Sequence, residues 1–140
     1  MAQRLRAEIK APYSSAYGAS KAIDGSLRTS CLSRSRPANW LSVEVAAGTP
    51  IGYVAIRNAH VSRWQPWLGN VEIWLGTSMG DSSSASAVKC GETSYDRANR
   101  GQSYVLWCGG VSDRPFVTVK RAGTRSGYLV VAELEPYVVG

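Results

Sequence analysis

Short runs in which apolar residues occupy every second position predict β-strands along most of this chain. Residues 52–57 and 70–75 both show this pattern, as at Val54 and Ile56 in the first run. A period of two places these side chains on one face, which is typical of a strand with one buried face. Further strands are predicted at 5–9, 41–45, 104–108, 115–121 and 128–134, the last being the most apolar.

Turn-forming residues separate the predicted strands. Gly109 and Gly110 predict a turn, and Pro136 predicts the end of the domain. The Ser-rich run 77–86 is expected to be a flexible loop, and 95–102 a polar loop tip. Seven or eight short strands without internal repeats favour an all-β jelly-roll sandwich whose loops gather at its two ends.

The length of the chain indicates how many domains it forms, and its charge indicates which classes of partner it favours. The 140 residues form one domain, with a lead-in strand in 1–13 and the binding domain in 14–140. The net charge of +6 favours anionic partners such as acidic glycans, phospholipid head groups or nucleic acid. Nucleic acid is disfavoured because the Lys and Arg residues are scattered and form no dense cluster.

The first residues and the hydropathy of the chain bear on its cellular compartment. Residues 1–6 lack the apolar core of a signal peptide, and no stretch is apolar enough to span a membrane. These observations leave two possibilities, a module of a larger secreted protein and a cytosolic protein. We expect the first, located outside the cell or at its surface, and keep the second as the alternative.

The loop at 60–69, between the strands 52–57 and 70–75, has an unusual composition for a connection. It contains the only His of the chain, an Arg and two Trp, whereas connections are usually small and polar. Side chains of this kind in a connection are expected either to pack against the rest of the protein or to bind a ligand. The candidate ligand-binding residues are His60, Arg63, Trp64, Gln65 and Trp67, with Arg34 from the basic loop 34–39.

Four interpretations of this loop remain open. The indoles either plug the end of the sandwich, enter phospholipid together with Leu68, bind a glycan, or anchor a protein partner in an adhesion or scaffold module. Catalysis is disfavoured because His60 is the single His and no Ser or Cys lies in a recognised nucleophile turn.

Three cysteines leave the redox state open. Cys90 and Cys108 flank a Gly-rich polar loop, which suits a disulfide, and three buried free thiols are the alternative. Glu133 is unusual because it ends an apolar run, where a carboxylate needs a partner or a metal.

Five short motifs in order resemble a known family. Residues 22–25 read Ala-Ile-Asp-Gly, and they are followed by matching stretches at 40–45, 51–58, 116–119 and 129–133. Their order and spacing are similar to the discoidin or coagulation-factor C-type domain, and most closely to its F-type lectin (fucolectin) branch. The resemblance extends over residues 14–135. It implies an eight-stranded antiparallel jelly-roll β-sandwich that binds ligands with the loops at one end.

The resemblance also implies a structural calcium ion. Its side-chain ligands would be Asp24, Ser26, Ser30 and Glu133, and its backbone carbonyl ligands would be Lys21 and Ala132. The family has Asn where this chain has Ser26, and its loop after the Asp is longer.

The resemblance implies a Cys90–Cys108 disulfide, and it leaves Cys31 free or paired outside this chain because the partner position is Ala132. The family's fucose triad of a His and an Arg-x-Asp-x4-Arg motif is absent, since the His position is Ser33. We therefore predict a non-catalytic module that binds a glycan through a different set of loop residues. The runners-up are binding to a phospholipid surface and binding to a protein.

Overall fold

The computed structural model describes residues 1–100 and 103–139, and its core consists of antiparallel sheets. In chain order the strands are β1 Arg4–Ile9, β2 Cys31–Leu32, β3 Trp40–Val45, β4 Ile51–Arg57, β5 Asn70–Gly76, β6 Val88–Ser94, β7 Ser103–Val111, β8 Phe116–Arg121, β9 Val130–Val131 and β10 Glu133–Val138.

The eight strands of six residues or more form two sheets, so the predicted eight-stranded jelly-roll sandwich is confirmed for the described residues. One sheet has five strands in the order β1-β3-β8-β5-β6, and the other has three in the order β10-β4-β7. The two-residue strands β2 and β9 pair separately. No helix in the described ranges is long and apolar enough to cross a membrane.

The alternation of apolar residues predicts the buried face of the central strands correctly. In β3, Leu41, Val43 and Val45 are buried, and in β5 the same holds for Val71 and Ile73. These side chains meet those of β4 between the sheets, where they form one continuous core. Burial of apolar surface of this kind supplies most of the driving force for folding.

The strands β4 and β5 belong to different sheets. β4 lies in the middle of the three-stranded sheet, whereas β5 lies between β8 and β6 in the other sheet. The segment between them therefore crosses one end of the sandwich. It contains a 3-10 helix, Ser62–Leu68, which places its aromatic residues at that end.

The predicted turn at Gly109 and Gly110 is wrong, because both residues lie inside β7. The pairing of β7 with β4 shifts register in this stretch, where Val111 faces Ile51 but Trp107 faces Tyr53. Both glycines have positive φ, 83° and 77°, and glycine tolerates this conformation in a bulge.

The predicted strand at 128–134 is divided, and the predicted end at Pro136 is wrong. β9 and β10 are separated by Ala132, and β10 continues through Pro136, which faces Val54. Proline lacks the N–H that a central strand needs, but β10 is an edge strand and tolerates it. The residues before β1 contact this region as well, since the Ala2 N–H donates to the Pro136 carbonyl at 2.8 Å.

Several predicted loops contain short ordered elements. The 3-10 helix Arg97–Asn99 lies within the predicted loop tip at 95–102, and the 3-10 helices Ser15–Tyr17 and Ala19–Ala22 lie between β1 and β2. Within the predicted loop tip at 95–102, Gly101 and Gln102 lie outside the described residues. The run 77–86 is organised by Asp81, whose carboxylate accepts hydrogen bonds from Thr77, Ser83 and Ser84.

The cysteines behave as the family resemblance implies. Cys90 and Cys108 form a disulfide that joins β6 in the five-stranded sheet to β7 in the three-stranded sheet. Cys31 is free and fully buried, and burial raises the pKa of its thiol to about 12. The thiol is therefore protonated and unreactive at neutral pH.

Candidate functional site

Two buried amides hold the crossing segment in shape. The Asn58 side chain donates to the Gln65 carbonyl at 3.0 Å and to the Arg100 carbonyl at 2.7 Å. The Gln65 amide donates in turn to the Ala59 carbonyl at 3.0 Å. The backbone of the 3-10 helix is therefore anchored from within, and the directions of its Trp side chains are set before any ligand arrives.

Aromatic rings from three separate segments meet on this helix. Trp67 stacks on Tyr128 with ring centroids 4.4 Å apart, and Trp64 lies nearly parallel to Trp67 at 6.2 Å. Tyr17 meets Trp64 edge-on at 5.5 Å, and Tyr13 meets Tyr17 at 6.1 Å. The stacked and edge-to-face arrangements are those that aromatic pairs prefer.

These five rings, with Arg63 and Leu32, line a cleft of about 340 Å³ at the end of the sandwich. We call it the aromatic cleft. The guanidinium of Arg63 lies 5.7 Å from the ring centroid of Trp64, within range of a cation–π interaction. On their inner sides Tyr17, Trp64, Trp67 and Tyr128 pack on a small apolar cluster of Leu32, Ala59 and Val130. These four rings are half-buried, whereas Tyr13 is exposed, and all five form the walls of the cleft.

Arg121, at the end of β8, fixes two of the rings from below. Its Nη1 donates to the Trp67 carbonyl at 3.2 Å and to the Tyr128 carbonyl at 2.8 Å. Gly69 and Gly127 make room for it, since a Cβ on Gly127 would lie 2.6 Å from its guanidinium carbon. Burial lowers the pKa of Arg121, which nevertheless stays a cation because arginine loses its proton only at very high pH.

A second hollow adjoins the aromatic cleft and is basic. It has a volume of about 510 Å³ and is lined by Tyr13, Arg34, Ser35, Arg36 and Tyr128. We call it the basic hollow. It shares Tyr13 and Tyr128 with the aromatic cleft.

Asn39 holds the loop of the basic hollow. Its buried amide donates to Ser33 Oγ at 2.9 Å, to the Arg34 carbonyl at 2.7 Å and to the Gly127 carbonyl at 2.9 Å. Ser33, at the family's fucose-binding His position, is buried and accepts from the Leu129 N–H at 2.8 Å. Here the position serves the loop's structure.

The structure brings together three of the six predicted ligand-binding residues. Arg63, Trp64 and Trp67 line the aromatic cleft, and Arg34 lines the neighbouring basic hollow. Gln65 is only 9% exposed and its amide nitrogen is used within the loop. His60 is exposed on the same loop, outside the lining of the cleft. The roles of Gln65 and His60 in binding stay predictions.

Sequence reasoning missed the tyrosines of the cleft. Tyr13, Tyr17 and Tyr128 lie far from residues 60–69 in the chain, and none belongs to a recognisable motif. The one available signal was the occurrence of Tyr13 and Tyr17 in a segment otherwise made mostly of Ser, Ala and Gly, whereas Tyr128 begins the predicted strand 128–134.

One of the predicted calcium ligands, Glu133, is paired with the guanidinium of Arg4. Glu133, 1% exposed, accepts from Arg4 Nη1 at 2.6 Å through Oε1 and from the Gly25 N–H at 3.2 Å through Oε2. Arg4 Nη1 also donates to the carbonyls of Ala22, at 3.2 Å, and Leu134, at 3.1 Å. The Ala22 carbonyl directly follows the predicted Lys21 carbonyl, and the Leu134 carbonyl comes two residues after the predicted Ala132 carbonyl.

Both carboxylates of the predicted set are therefore in use. Burial raises the pKa of Glu133, and Arg4 opposes that rise. Burial also raises the pKa of Asp24, but hydrogen bonds from Thr29 and the Ser26 N–H outweigh it, so the pKa lies below its usual value. A calcium ion prefers six to eight oxygen ligands. This arrangement, with a cation already on Glu133, does not fit one, and calcium binding stays a prediction from the resemblance.

This protein is similar to known proteins in its structure. The sequence matches no family model, and no curated protein matches it at a significant level. The fold is similar to the lectin domain of lectinolysin complexed with Lewis B antigen, with a TM-score of 0.76 and 16% identity over 96% of this chain and 93% of that one. The fold is also similar to the family 32 CBM of C. perfringens NanJ in complex with galactose. The TM-score is 0.74, and the identity is 16% over 94% of this chain and 91% of that one.

A third similar structure is a fucolectin from the serum of striped bass, Morone saxatilis. The TM-score is 0.80 and the identity 19% over 96% of this chain, which spans 45% of the fucolectin chain. The chain therefore has the galactose-binding-like jelly-roll fold. The resemblance to F-type lectins that the motifs indicated is confirmed at the level of the fold.

Proposed function

We propose that this domain is a non-catalytic carbohydrate-binding module that holds its glycan in the aromatic cleft. The observation that carries the proposal is the wall of five aromatic rings around a hollow of about 340 Å³ at the loop end of the sandwich. A pyranose has an apolar C–H face and a rim of hydroxyl groups. Flat rings pack on the face, while phenol and guanidinium groups bond the rim.

Each residue of the cleft has a separate role in this proposal. Trp64 and Trp67 supply the stacking surface, and Arg63 donates to hydroxyl groups. Tyr13, Tyr17 and Tyr128 close the sides and offer their hydroxyl groups as donors and acceptors. In the described part of the chain no Ser, Cys, His, Asp or Glu lines the cleft, and the role that we propose for it is binding.

Three of the similar structures support the ligand class. Their descriptions name a Lewis B antigen, galactose and a GalNAc-galactose disaccharide as bound molecules. The Cys90–Cys108 disulfide supports a location in an oxidising environment, outside the cell or on its surface.

Membrane insertion is less well supported. Leu68, which would join the indoles at a membrane, is fully buried in the core. Trp64 and Trp67 are half-buried in contact with other rings, whereas membrane-inserting loops present apolar tips to the outside.

The test is a glycan array followed by titration of the bound sugars with wild-type protein and two Trp variants. Trp67→Ala is expected to weaken binding at least about tenfold, because loss of a stacked ring removes roughly 1–2 kcal/mol or more. Trp107→Ala is the matched control, since Trp107 is 52% exposed on β7 and lines neither the aromatic cleft nor the basic hollow.

Two results contradict the proposal. One is a wild-type protein that binds no glycan but floats with anionic liposomes. The other is a Trp67→Ala variant that binds the array sugars as tightly as the Trp107→Ala control.

A further inference from the structure

We propose that the preferred glycan carries an anionic group, and that Arg34 and Arg36 hold this group in the basic hollow. The inference rests on the proposed function and specifies the class of ligand. A sugar carboxylate and a sugar sulfate present the same chemistry to these residues, so the experiment has an arm for each.

The two hollows are placed to act on one ligand. Tyr13 and Tyr128 line both, so a single layer of side chains separates the aromatic cleft from the basic hollow. Tyr128 itself is stacked on Trp67 at 4.4 Å. A sugar ring packed in the cleft therefore lies beside the basic hollow, and a substituent on that ring can point into it.

The positive charge of the hollow is not neutralised by the protein. Arg34 and Arg36 are exposed, and in the described part of the chain neither forms an ion pair with a carboxylate. Among the residues that line the two hollows there is no Asp or Glu, and Arg63 adds a third cation on the cleft side. Guanidinium groups bind carboxylates and sulfates with paired, charge-assisted hydrogen bonds.

The backbone that carries these two arginines is held in place. Asn39 donates to the Arg34 carbonyl, and the Arg34 N–H donates to the Ala11 carbonyl at 2.7 Å. Arg36 and Gly127 exchange two backbone hydrogen bonds of 3.3 Å each, which fixes Arg36 beside Tyr128. Because the loop is ordered in the free protein, a ligand does not have to order it, and that favours binding.

The experiment compares lactose with two anionic derivatives, one that adds only a sulfate and one that adds a sialic acid residue with its carboxylate. Lactose, 3′-sialyllactose and 3′-sulfated lactose are titrated into the full chain by calorimetry at two salt concentrations. The anionic sugars are expected to bind about tenfold more tightly than lactose, as one charge-assisted hydrogen bond predicts. The difference should shrink at high salt because the arginines are exposed.

The double variant Arg34→Gln with Arg36→Gln tests whether the basic hollow holds the anionic group. It is expected to lose the preference for the anionic sugars over lactose. Arg97→Gln is the matched control, since Arg97 is exposed and lines neither the aromatic cleft nor the basic hollow.

The outcomes separate the two proposals. Equal binding of neutral and anionic sugars, or a preference that survives in the double variant, overturns the anionic subsite and leaves the carbohydrate-binding function standing. Failure to bind any sugar on a broad array overturns the proposed function itself.

A second inference comes from a different place, the contacts of Arg4. We infer that its guanidinium serves as the internal cation at the position where the family resemblance implies calcium. The Arg4 side chain is 9% exposed, and Nη1 joins the β10 carboxylate of Glu133 to the carbonyls of Ala22 and Leu134. It thereby links the N-terminal strand, the 3-10 helix Ala19–Ala22 and the start of β10, and a metal ion would be superfluous for that link.

Thermal unfolding in calcium chloride and in EDTA tests this inference without any variant. The melting temperature of the wild type is expected to be the same in both. A rise of several degrees with calcium would overturn the inference.

The variant Arg4→Gln should lower the melting temperature by roughly 10 °C, because it leaves the buried Glu133 carboxylate without its cation. Arg6→Gln on the same strand is the control, since Arg6 pairs with Glu44 at the surface, where ion pairs contribute little. Equal effects of the two substitutions would also overturn the inference.

Discussion

Trp67 and Tyr128 stack with their ring centroids 4.4 Å apart and their planes inclined by 22°. Tyr128 follows β8 in the chain, whereas Trp67 precedes β5. β5 and β8 are hydrogen-bonded neighbours in the five-stranded sheet, and Val71 faces Arg121. The pairing of these two strands therefore brings both rings to the same end of the sheet. There Arg121 donates hydrogen bonds to the carbonyls of Trp67 and Tyr128.

Replacement of Arg121 should disturb the cleft more than the sandwich. In Arg121→Gln the shorter side chain no longer reaches both carbonyls, so Trp67 and Tyr128 lose their common support. We expect glycan affinity to fall about tenfold, which corresponds to roughly 1.4 kcal/mol. Lys120→Gln on the same strand is the control, and equal affinities of the two variants would contradict this positioning role.

Asn39 should contribute strongly to stability because it is buried and donates three hydrogen bonds. Asn39→Ala leaves the Arg34 and Gly127 carbonyls without this donor. We expect the free energy of unfolding to fall by about 2–4 kcal/mol, measured by urea denaturation. Asn70→Ala, at an exposed position, should change it by less than about 0.5 kcal/mol. A similar change in both variants would show that the Asn39 contacts contribute little.

Asp81 should make part of the stability depend on acid pH. Hydrogen bonds, first from the Ser84 hydroxyl and then from backbone N–H groups, lower its pKa below the ordinary 3.8 in the folded protein. The unfolded chain therefore binds the proton more readily, and stability is lost as the pH falls. The contribution is present above pH 3.8 and disappears as the pH falls through the lowered pKa.

The variant Asp81→Asn removes this titration. The difference in unfolding free energy between wild type and variant should be largest at neutral pH and should shrink as the pH is lowered below 3.8. Urea titrations over this pH range measure it. A difference that stays constant with pH would show that Asp81 does not stabilise the loop through its charge.

The Cys90–Cys108 disulfide should stabilise the sandwich without affecting the cleft. It closes a loop with a sequence separation of 18 and joins the two sheets. The double replacement by Ala should lower the free energy of unfolding by about 3 kcal/mol. The folded double variant should bind glycan with wild-type affinity, as titration below its melting temperature can show. A loss of binding would mean that the disulfide also holds the site.

The sequence by itself determined the class of fold and the location of one part of the site. Alternating apolar residues identify β3, β4, β5 and β8 because each strand has a buried face. The composition of residues 60–69 identifies Arg63, Trp64 and Trp67, since such side chains rarely occur together in a connection without a reason.

Only the tertiary structure decided what completes the site. Tyr128 joins Trp67 through the pairing of β5 and β8, and Tyr13 reaches the same edge through the hydrogen bond from its N–H to the Leu32 carbonyl. Arg4 reaches Glu133 across 129 positions of the chain. These contacts depend on which loops the folded sheets bring together, and local patterns do not encode that. Local patterns report which face of a strand is buried, whereas a binding cleft is made by residues that meet only after the sheets have formed.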